Sequence, residues 1–318
     1  ERDTTAIGKD RAPPEVAERL GHYAALAREA ESRIPGALLI TFPELGHAPH
    51  IEEPEAFNVT LLDALGRIVE TAEQTGETLL VAVHWVNNET GVVQPIGRVT
   101  ALVGPTRHVL VIDAVQAFGK LGLDFAASGA DMVAVSAHKI GGPAGVGALL
   151  VKSHADTVRL VPGGGQEQGR RGGTEPAALI AGFGAACSAF AETFDRKAAS
   201  ALAARLETEI GHFAPDAVVF GKRAERIGTV VNFAVPGLKN TVAVMGLDLA
   251  GVAVSSGSAC SSGKVGRSHV LSAMGVDPAL SECGLRASFG WNSTSADVDA
   301  FLEAFTPIIA RRRSGAAA

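Results

Sequence analysis

Residues 110–139 read LVIDAVQAFGKLGLDFAASGADMVAVSAHK, and two short apolar runs in this stretch decide the fold. The first run, residues 110–112, ends at Asp113, and the second, residues 132–135, is followed by a Ser-Ala-His-Lys segment that ends at Lys139. Runs of this length and β-branched content are typical of buried parallel strands. Because ligands of an open α/β sheet bind beyond the carboxyl ends of the strands, we expect Asp113 and Lys139 to face one crevice.

An acid and a lysine in one crevice suit pyridoxal phosphate, which needs a lysine for its Schiff base and a carboxylate against its pyridinium nitrogen. The competing interpretation is that Asp113 caps a helix and Lys139 is a solvated surface lysine. The neighbours of Lys139 favour the cofactor, because His138 precedes it and the glycine-rich GGPAGVG at residues 141–147 follows it. Asn88, in an NNETG segment after the apolar LLVAV run, lies 25 positions before Asp113, and Lys139 lies 26 after it. Each interval is about one helix-plus-strand crossover.

Four motifs, in this order, resemble the cysteine desulfurases of the NifS/IscS type, which are fold-type I pyridoxal-phosphate enzymes of the class V aminotransferase group. The motifs are DAVQ at 113–116, SAHKIGGPAGVGALLV at 136–151, GGGQEQGRRGGTE at 163–175 and SSGSACSSGK at 255–264. The resemblance runs from about residue 79 to about residue 310. It implies an α/β fold, in which a large domain has a mostly parallel sheet flanked by helices and a smaller C-terminal domain is α+β.

The resemblance also implies where the domains lie. We place the large, cofactor-binding domain at residues 1–213 and the small domain, with the catalytic cysteine loop, at residues 214–318. Residues 1–78 form an atypical or incomplete region, because the Gly-x-Thr-Glu turn that holds the cofactor phosphate in the family is not found before residue 79. We expect strands at residues 38–42 and 59–62, from their apolar content.

The resemblance assigns a cofactor site to this sequence. Lys139 would carry pyridoxal phosphate as a Schiff base, Asp113 would hold the ring nitrogen, and Gln116 would donate to the ring hydroxyl. Asn88 would reach either the ring hydroxyl or the substrate carboxylate. The residues implied to hold the phosphate are Ser136, His138 and, in trans from the partner subunit of a homodimer, Thr174.

Three further residues would act on the substrate, L-cysteine. Cys260 lies in a small-residue segment without periodicity and would attack the substrate sulfur as a thiolate, leaving a persulfide on the enzyme and releasing alanine. Arg286 interrupts an apolar strand pattern, where a charge is costly unless paired, and would bind the substrate carboxylate. His47, which fits the family pattern better than His50, would stack on the cofactor ring and assist proton transfer.

Composition limits the other possibilities. A chain of 318 residues with 47% hydrophobic and 19% charged residues fits a large globular domain plus a smaller one. The net charge of −6 provides no basic field for direct binding of nucleic acid or an acidic membrane. Three cysteines fit neither a paired disulfide framework nor a metal site, and no signal peptide or membrane-length apolar run is recognised. We therefore expect a cytoplasmic protein.

Two other functions stay open at this stage. The absent phosphate turn favours a catalytically impaired homologue that acts as a dimeric scaffold in sulfur transfer or iron–sulfur assembly. A selenocysteine lyase would share the cofactor geometry and differ in substrate. For a desulfurase, the partner would be a sulfur-acceptor or scaffold protein, which the sequence does not identify.

Overall fold

The two strands quoted above lie side by side in the middle of a four-stranded sheet. The computed structural model describes residues 54–156, 159, 161–256 and 268–315. The strands of this first sheet are, in spatial order, β1 (Leu80–His84), β2 (Val109–Asp113), β3 (Met132–Ser136) and β4 (Gly147–Val151). The first three are parallel and β4 is antiparallel to β3. Inward-facing residues alternate along the two central strands, as in Leu110 and Ile112, both almost fully buried.

Two helices pack on this sheet, α1 (Pro54–Thr75) and α2 (Ile96–Val103). The prediction of a strand at residues 59–62 is wrong, because these residues lie inside α1. Leu62, Val69 and Ala72 are buried at helical spacing, so one face of a 22-residue helix packs inward. The apolar run at residues 59–62 is too short to show the helical spacing of the buried residues, so by itself it indicates a strand.

A second, antiparallel sheet follows two long helices, α3 (Ala177–Thr193) and α4 (Arg196–Phe213). Its strands are, in spatial order, β5 (Val218–Val219), β6 (Val230–Ala234), β8 (Gly284–Ser288) and β7 (Ser255–Ser256). The helices in this part are α5 (Asn240–Leu249), α6 (His269–Ala273), α7 (Pro278–Ser281) and α8 (Ser295–Gly315). The ring of Phe233 on β6 meets the rings of Phe301 and Phe305 on α8 edge-on, with centroids 6.3 and 5.9 Å apart.

Helix α4 packs with the second sheet. Its residues Ala203, Leu206 and Ile210 are buried in the same core as Phe233 and Phe305. The division of the chain after residue 213 stays a prediction, and this packing associates α4 with the later part of the chain.

A short bridging segment connects the two sheets. Val92 forms an isolated antiparallel bridge with Arg226, and the Ile227 backbone N–H donates to the Gly91 carbonyl at 2.8 Å. A side chain at Gly91 would meet Val230 at 3.3 Å, and Gly91 has a φ of +72°, so glycine suits this close approach. The segment after β1 is therefore held against the later half of the chain.

No one helix in the described part of the chain has the length and apolar content of a membrane span. Helices α3 and α4 meet that criterion only when taken together, across a 72° bend.

Candidate active site

The first sheet brings the predicted acid and lysine to neighbouring strand tips. Asp113 is the last residue of β2 and pairs with Ala134 of β3, two residues before that strand ends at Ser136. The Ala114 backbone N–H donates to the Ala134 carbonyl at 2.9 Å, so the chain stays in register just beyond Asp113. The Oδ1 atom of Asp113 accepts from the Val115 N–H at 2.9 Å, which orients the carboxylate.

Lys139 lies in a 3₁₀ turn, Ala137–Ile140, directly after β3. The side chains of Ala137 and Ile140 are buried and anchor this turn, and Gly141 ends it in the left-handed region with a φ of 80°. The lysine is thus presented from a short, anchored turn rather than from a long loop.

One cavity of about 1380 Å³ unites five of the predicted residues. It is lined, among others, by Asn88, Asp113, Gln116, His138 and Lys139. The cavity is large enough for a cofactor and a small amino acid.

Ser136 reaches this cavity through its neighbour His138. The Ser136 Oγ and the His138 Nδ1 are 2.7 Å apart. Burial, followed by the charges of Lys139 and Lys120, lowers the pKa of His138. When Nδ1 accepts a hydrogen bond from the Ser136 hydroxyl, the neutral imidazole carries its own proton on Nε2. That Nε2–H is then free to donate to an anionic ligand group.

Asn87 and Asn88 have different tasks. The side-chain oxygen of Asn87 accepts from the Glu89 N–H at 3.0 Å and from both the N–H and the hydroxyl of Thr90, at 3.0 and 3.1 Å. Asn87 therefore builds the turn after β1. That turn leaves Asn88 at the cavity wall.

Arg286 lies on β8 and approaches the site through the turn that holds Asn88. Its Nη1 donates to the Asn88 carbonyl at 3.1 Å, and its Nη2 donates to the Ser255 Oγ at 3.2 Å. Its Nε is buried without a hydrogen-bond partner among the described residues. The guanidinium is thus held in place with donor capacity left for a carboxylate.

Ser136 and Arg286 lie beside the cavity without lining it, and for three further predicted residues the structure shows no place at it. Thr174 lies exposed in the 161–175 segment and is not among the residues that line it. His47 and Cys260 lie outside the described residues. The roles of these three, and the roles assigned to the residues in and beside the cavity, stay predictions.

Sequence reasoning missed two residues near the acid and the lysine. His84 ends β1, is the register partner of Asp113, and lines the same cavity. The charge of Lys120 contributes to the lowered pKa of His138, and burial, followed by the charge of Lys139, lowers the pKa of Lys120 itself to about 8. The signal for His84 was available, because a polar residue that ends a buried strand beside an active-site strand faces the same crevice.

The donor set of this cavity fits pyridoxal phosphate. A carboxylate and a lysine amine line the same cavity, as the ring nitrogen and the aldehyde carbon require, and the serine–histidine pair leaves one neutral N–H donor suited to a phosphate.

Comparison with known proteins agrees with this geometry. Residues 62–301 match the family model described as aminotransferase class-V. The cysteine desulfurase IscS of Clostridium botulinum, strain Kyoto, is 36% identical over 276 residues, which cover 84% of this chain and 70% of that protein. The IscS-like cysteine desulfurase of Mycobacterium tuberculosis is 37% identical over 252 residues, which cover 78% of this chain and 64% of that protein.

Solved structures lead to the same group. The NifS-like protein from Rickettsia africae superposes with a TM-score of 0.69 at 29% identity, covering 78% of this chain and 66% of that one. A structure described as SspA in complex with cysteine has a TM-score of 0.55 at 32% identity, covering 69% of this chain and 60% of that one. The chain thus spans slightly less than two thirds of these solved relatives.

The chain belongs to the class V aminotransferase family. Within that family, the relatives above that are named by activity are cysteine desulfurases. These relatives confirm the predicted family, the α/β fold class, the pyridoxal-phosphate cofactor and the type of enzyme. They do not favour the impaired scaffold or the selenocysteine lyase.

Proposed function

We propose that this chain converts L-cysteine to L-alanine and retains the sulfur as a persulfide on Cys260, for transfer to an acceptor protein. The observation that carries the proposal is the meeting of Asp113 and Lys139 in one cavity, with Arg286 held beside Asn88 at its edge. Bound pyridoxal phosphate supplies an electron sink for the carbon atoms of the substrate.

The strand-tip residues bind the cofactor and hold its charges. Lys139 would supply the amine that attaches the cofactor and would move protons at the substrate carbons. Asp113, oriented by the Val115 N–H, holds the proton on the ring nitrogen. Ser136 and His138 would bind the phosphate as one hydrogen-bonded pair, in which Ser136 orients the imidazole ring and the His138 Nε2–H donates, and Gln116 would donate to the ring hydroxyl.

Arg286 and Asn88 orient the substrate. The planar guanidinium binds the carboxylate of cysteine, and its two side-chain contacts hold it at a fixed orientation before the substrate arrives.

Cys260 is the nucleophile in this proposal. Its thiolate attacks the substrate sulfur, so that a sulfur–sulfur bond forms while the carbon–sulfur bond breaks and its electron pair stays on the substrate carbon, which a proton then converts to the methyl group of alanine. Cys283 suits this task poorly, because burial raises the pKa of its thiol and its Sγ donates to the Ala279 carbonyl at 3.3 Å.

We further propose that the protein is a homodimer in which Thr174 reaches the partner's cofactor. Helix α3 supports a covering partner, because it consists mostly of small apolar residues and only Phe190 is buried. The preceding loop also holds Glu167 and Gln168 at φ values of 49° and 55°, which strain non-glycine residues. A cytoplasmic location and a sulfur-acceptor or scaffold partner complete the proposal, with iron–sulfur assembly as the pathway.

Two variants, measured beside the wild-type protein, test the catalytic proposal. Wild-type protein should show cofactor absorbance that shifts on addition of cysteine, and should release alanine. Cys260→Ala should keep the absorbance and release no alanine, and Lys139→Ala should form no borohydride-reducible linkage to the cofactor. Alanine release by Cys260→Ala would refute the role of Cys260 as the nucleophile. A wild-type protein without cofactor absorbance would refute the proposal that this chain is a pyridoxal-phosphate enzyme. Sedimentation of the holoprotein tests the dimer.

A further inference from the structure

Glu89 is a buried carboxylate next to Asn88 that the mechanism above does not use. Its side chain is fully buried, at 0% exposure, and no ion pair to it is present among the described residues. Its Oε1 atom has no hydrogen-bond partner in that part of the chain. Burying a carboxylate costs free energy unless its contacts compensate for the lost hydration, so the contacts of Glu89 indicate its role.

The Glu89 side chain holds Ser268. The Ser268 hydroxyl donates to the Glu89 Oε2 at 2.5 Å and accepts from the Leu271 N–H at 2.9 Å, as the N-cap of α6. Ser268 is 2% exposed, so water does not compete for these bonds. The start of α6 is therefore tied to the turn after β1, 179 residues earlier.

The backbone of the same turn holds two residues of the second sheet. The Asn88 carbonyl accepts from Arg286 and the Glu89 carbonyl accepts from the Asn232 side-chain amide, each at 3.1 Å. Asn232 and Arg286 are register partners on β6 and β8. Two consecutive peptide groups thus fix the position of the arginine that is proposed to bind substrate.

These contacts meet at both flanks of the segment that contains Cys260. Strand β7 ends at Ser256, and its Ser255 accepts from Arg286 at 3.2 Å. Ser268 follows residues 257–267, and it donates to Glu89. The chain therefore leaves this region next to Arg286 and returns to it at Glu89, and both contacts converge on residues 88–89.

We propose that Glu89 is a positioning residue for sulfur transfer, which fixes Ser268 and hence the C-terminal attachment of the Cys260 segment relative to Arg286. The inference rests on the proposed function of Cys260. Glu89 acts through Ser268 and has no contact with substrate. Substrate binding does not depend on the Glu89 side chain, because Arg286 is held by the Asn88 carbonyl and by Ser255.

Substitution of both partners tests this role in the holoenzyme. Glu89→Leu and Ser268→Ala should each lower kcat for alanine release by about tenfold or more, because a displaced nucleophile meets the substrate sulfur less often. The KM for cysteine and the cofactor absorbance should stay near wild type. Glu89→Gln keeps an oxygen that can accept from Ser268, and it should restore kcat to within about threefold of wild type, because a neutral acceptor serves the same hydroxyl.

A double variant and a cap control separate the contact from helix capping. Glu89→Leu combined with Ser268→Ala should lower kcat no further than either change alone, because both remove one contact. Asp277 caps the neighbouring helix α7 by accepting from the Ala279 and Leu280 N–H groups, without touching Glu89. Asp277→Ala should leave kcat unchanged, which shows that loss of a nearby cap is not the cause.

Trypsin cleavage of the cofactor-free protein at the Arg267–Ser268 bond gives a readout without turnover. Cleavage should be faster in Glu89→Leu and Ser268→Ala than in wild type and Glu89→Gln, with circular dichroism as the check on folding. Wild-type kcat and wild-type cleavage in both variants would overturn the role of Glu89 while the proposed function stands. A wild-type protein that releases no alanine refutes the proposed function, and the cleavage rates then decide separately whether Glu89 holds Ser268.

Discussion

His84 and Asp113 are register partners at the tips of β1 and β2, and their side chains leave the sheet on the same side, into one cavity. The Asp113 carboxylate accepts from the Val115 N–H, and the His84 ring forms no hydrogen bond with another described residue. The His84 ring therefore faces the same space as the Asp113 carboxylate, with its ring nitrogens available to a bound cofactor or substrate.

Replacing His84 by leucine should therefore weaken catalysis without removing the cofactor. We expect kcat for alanine release to fall about three- to tenfold, because His84 lines the cavity and the loss of one ordinary hydrogen bond to a bound molecule has this size. His84→Asn keeps a donor and should stay near wild type. An unchanged kcat in His84→Leu would show that catalysis needs no contact of His84.

Arg286→Lys should raise the KM for cysteine by about ten- to hundredfold, because a point charge replaces a planar fork and one charge-assisted hydrogen bond is lost. The cofactor absorbance should be unaffected, since Arg286 is not among the residues at the cavity wall. Steady-state kinetics measure the effect. Arg205→Lys is the matched control, because Arg205 pairs with Asp299 at the surface of α4. Equal KM values in the two variants would show that Arg286 does not bind the substrate.

The sheet and its two central residues were predictable because local patterns determine them. Residues 110–112 and 132–135 are short, β-branched and bounded by polar residues, and parallel strands place their carboxyl ends at one edge. Asp113 and Lys139 follow from that rule alone. The strand predicted at residues 59–62 failed because its apolar letters belong to the longer period of α1.

The contacts that orient the site were not predictable in the same way. Arg286 donates to the Asn88 carbonyl 198 residues away, and every residue offers such a carbonyl, so no residue type marks the partner. Glu89 is part of a motif that was noticed, yet its partner Ser268 is an ordinary serine in sequence. Only the packing of the second sheet against the turn after β1 identifies these pairs.

The ion pair of Arg226 with Glu207 should stabilise the connection between the two halves of the chain. Two bonds of 2.6 and 3.0 Å join the groups, and their side chains are only 16% and 12% exposed. Arg226→Leu should lower the free energy of unfolding by about 2–4 kcal/mol, because the carboxylate is left without its partner. Urea denaturation measures this loss.

The control for that measurement is the exposed pair of Arg98 with Glu55, at 44% and 78% exposure. Arg98→Leu should change the free energy of unfolding by less than about 1 kcal/mol. If both variants lose the same small amount, the buried pair contributes nothing beyond a surface pair.

Lys120 should make stability depend on pH above neutrality. Burial, followed by the charge of Lys139, lowers its pKa from 10.5 to about 8 in the folded protein. Between these two pH values the unfolded chain binds more protons than the folded one, so stability rises with pH. Below about pH 8 both states are protonated and the folded protein carries the full cost of a buried charge.

Lys120→Met removes that cost and should stabilise the cofactor-free protein at pH 7 by about 1–3 kcal/mol, at the lower end because the side chain is partly exposed. The advantage over wild type should shrink as the pH rises from 8 to 10.5, and thermal unfolding across this range measures it. Lys152→Met, a lysine change away from the cavity of Asp113 and Lys139, should show no such trend. A stability difference that stays constant across this range would mean that Lys120 keeps its ordinary pKa in the folded protein.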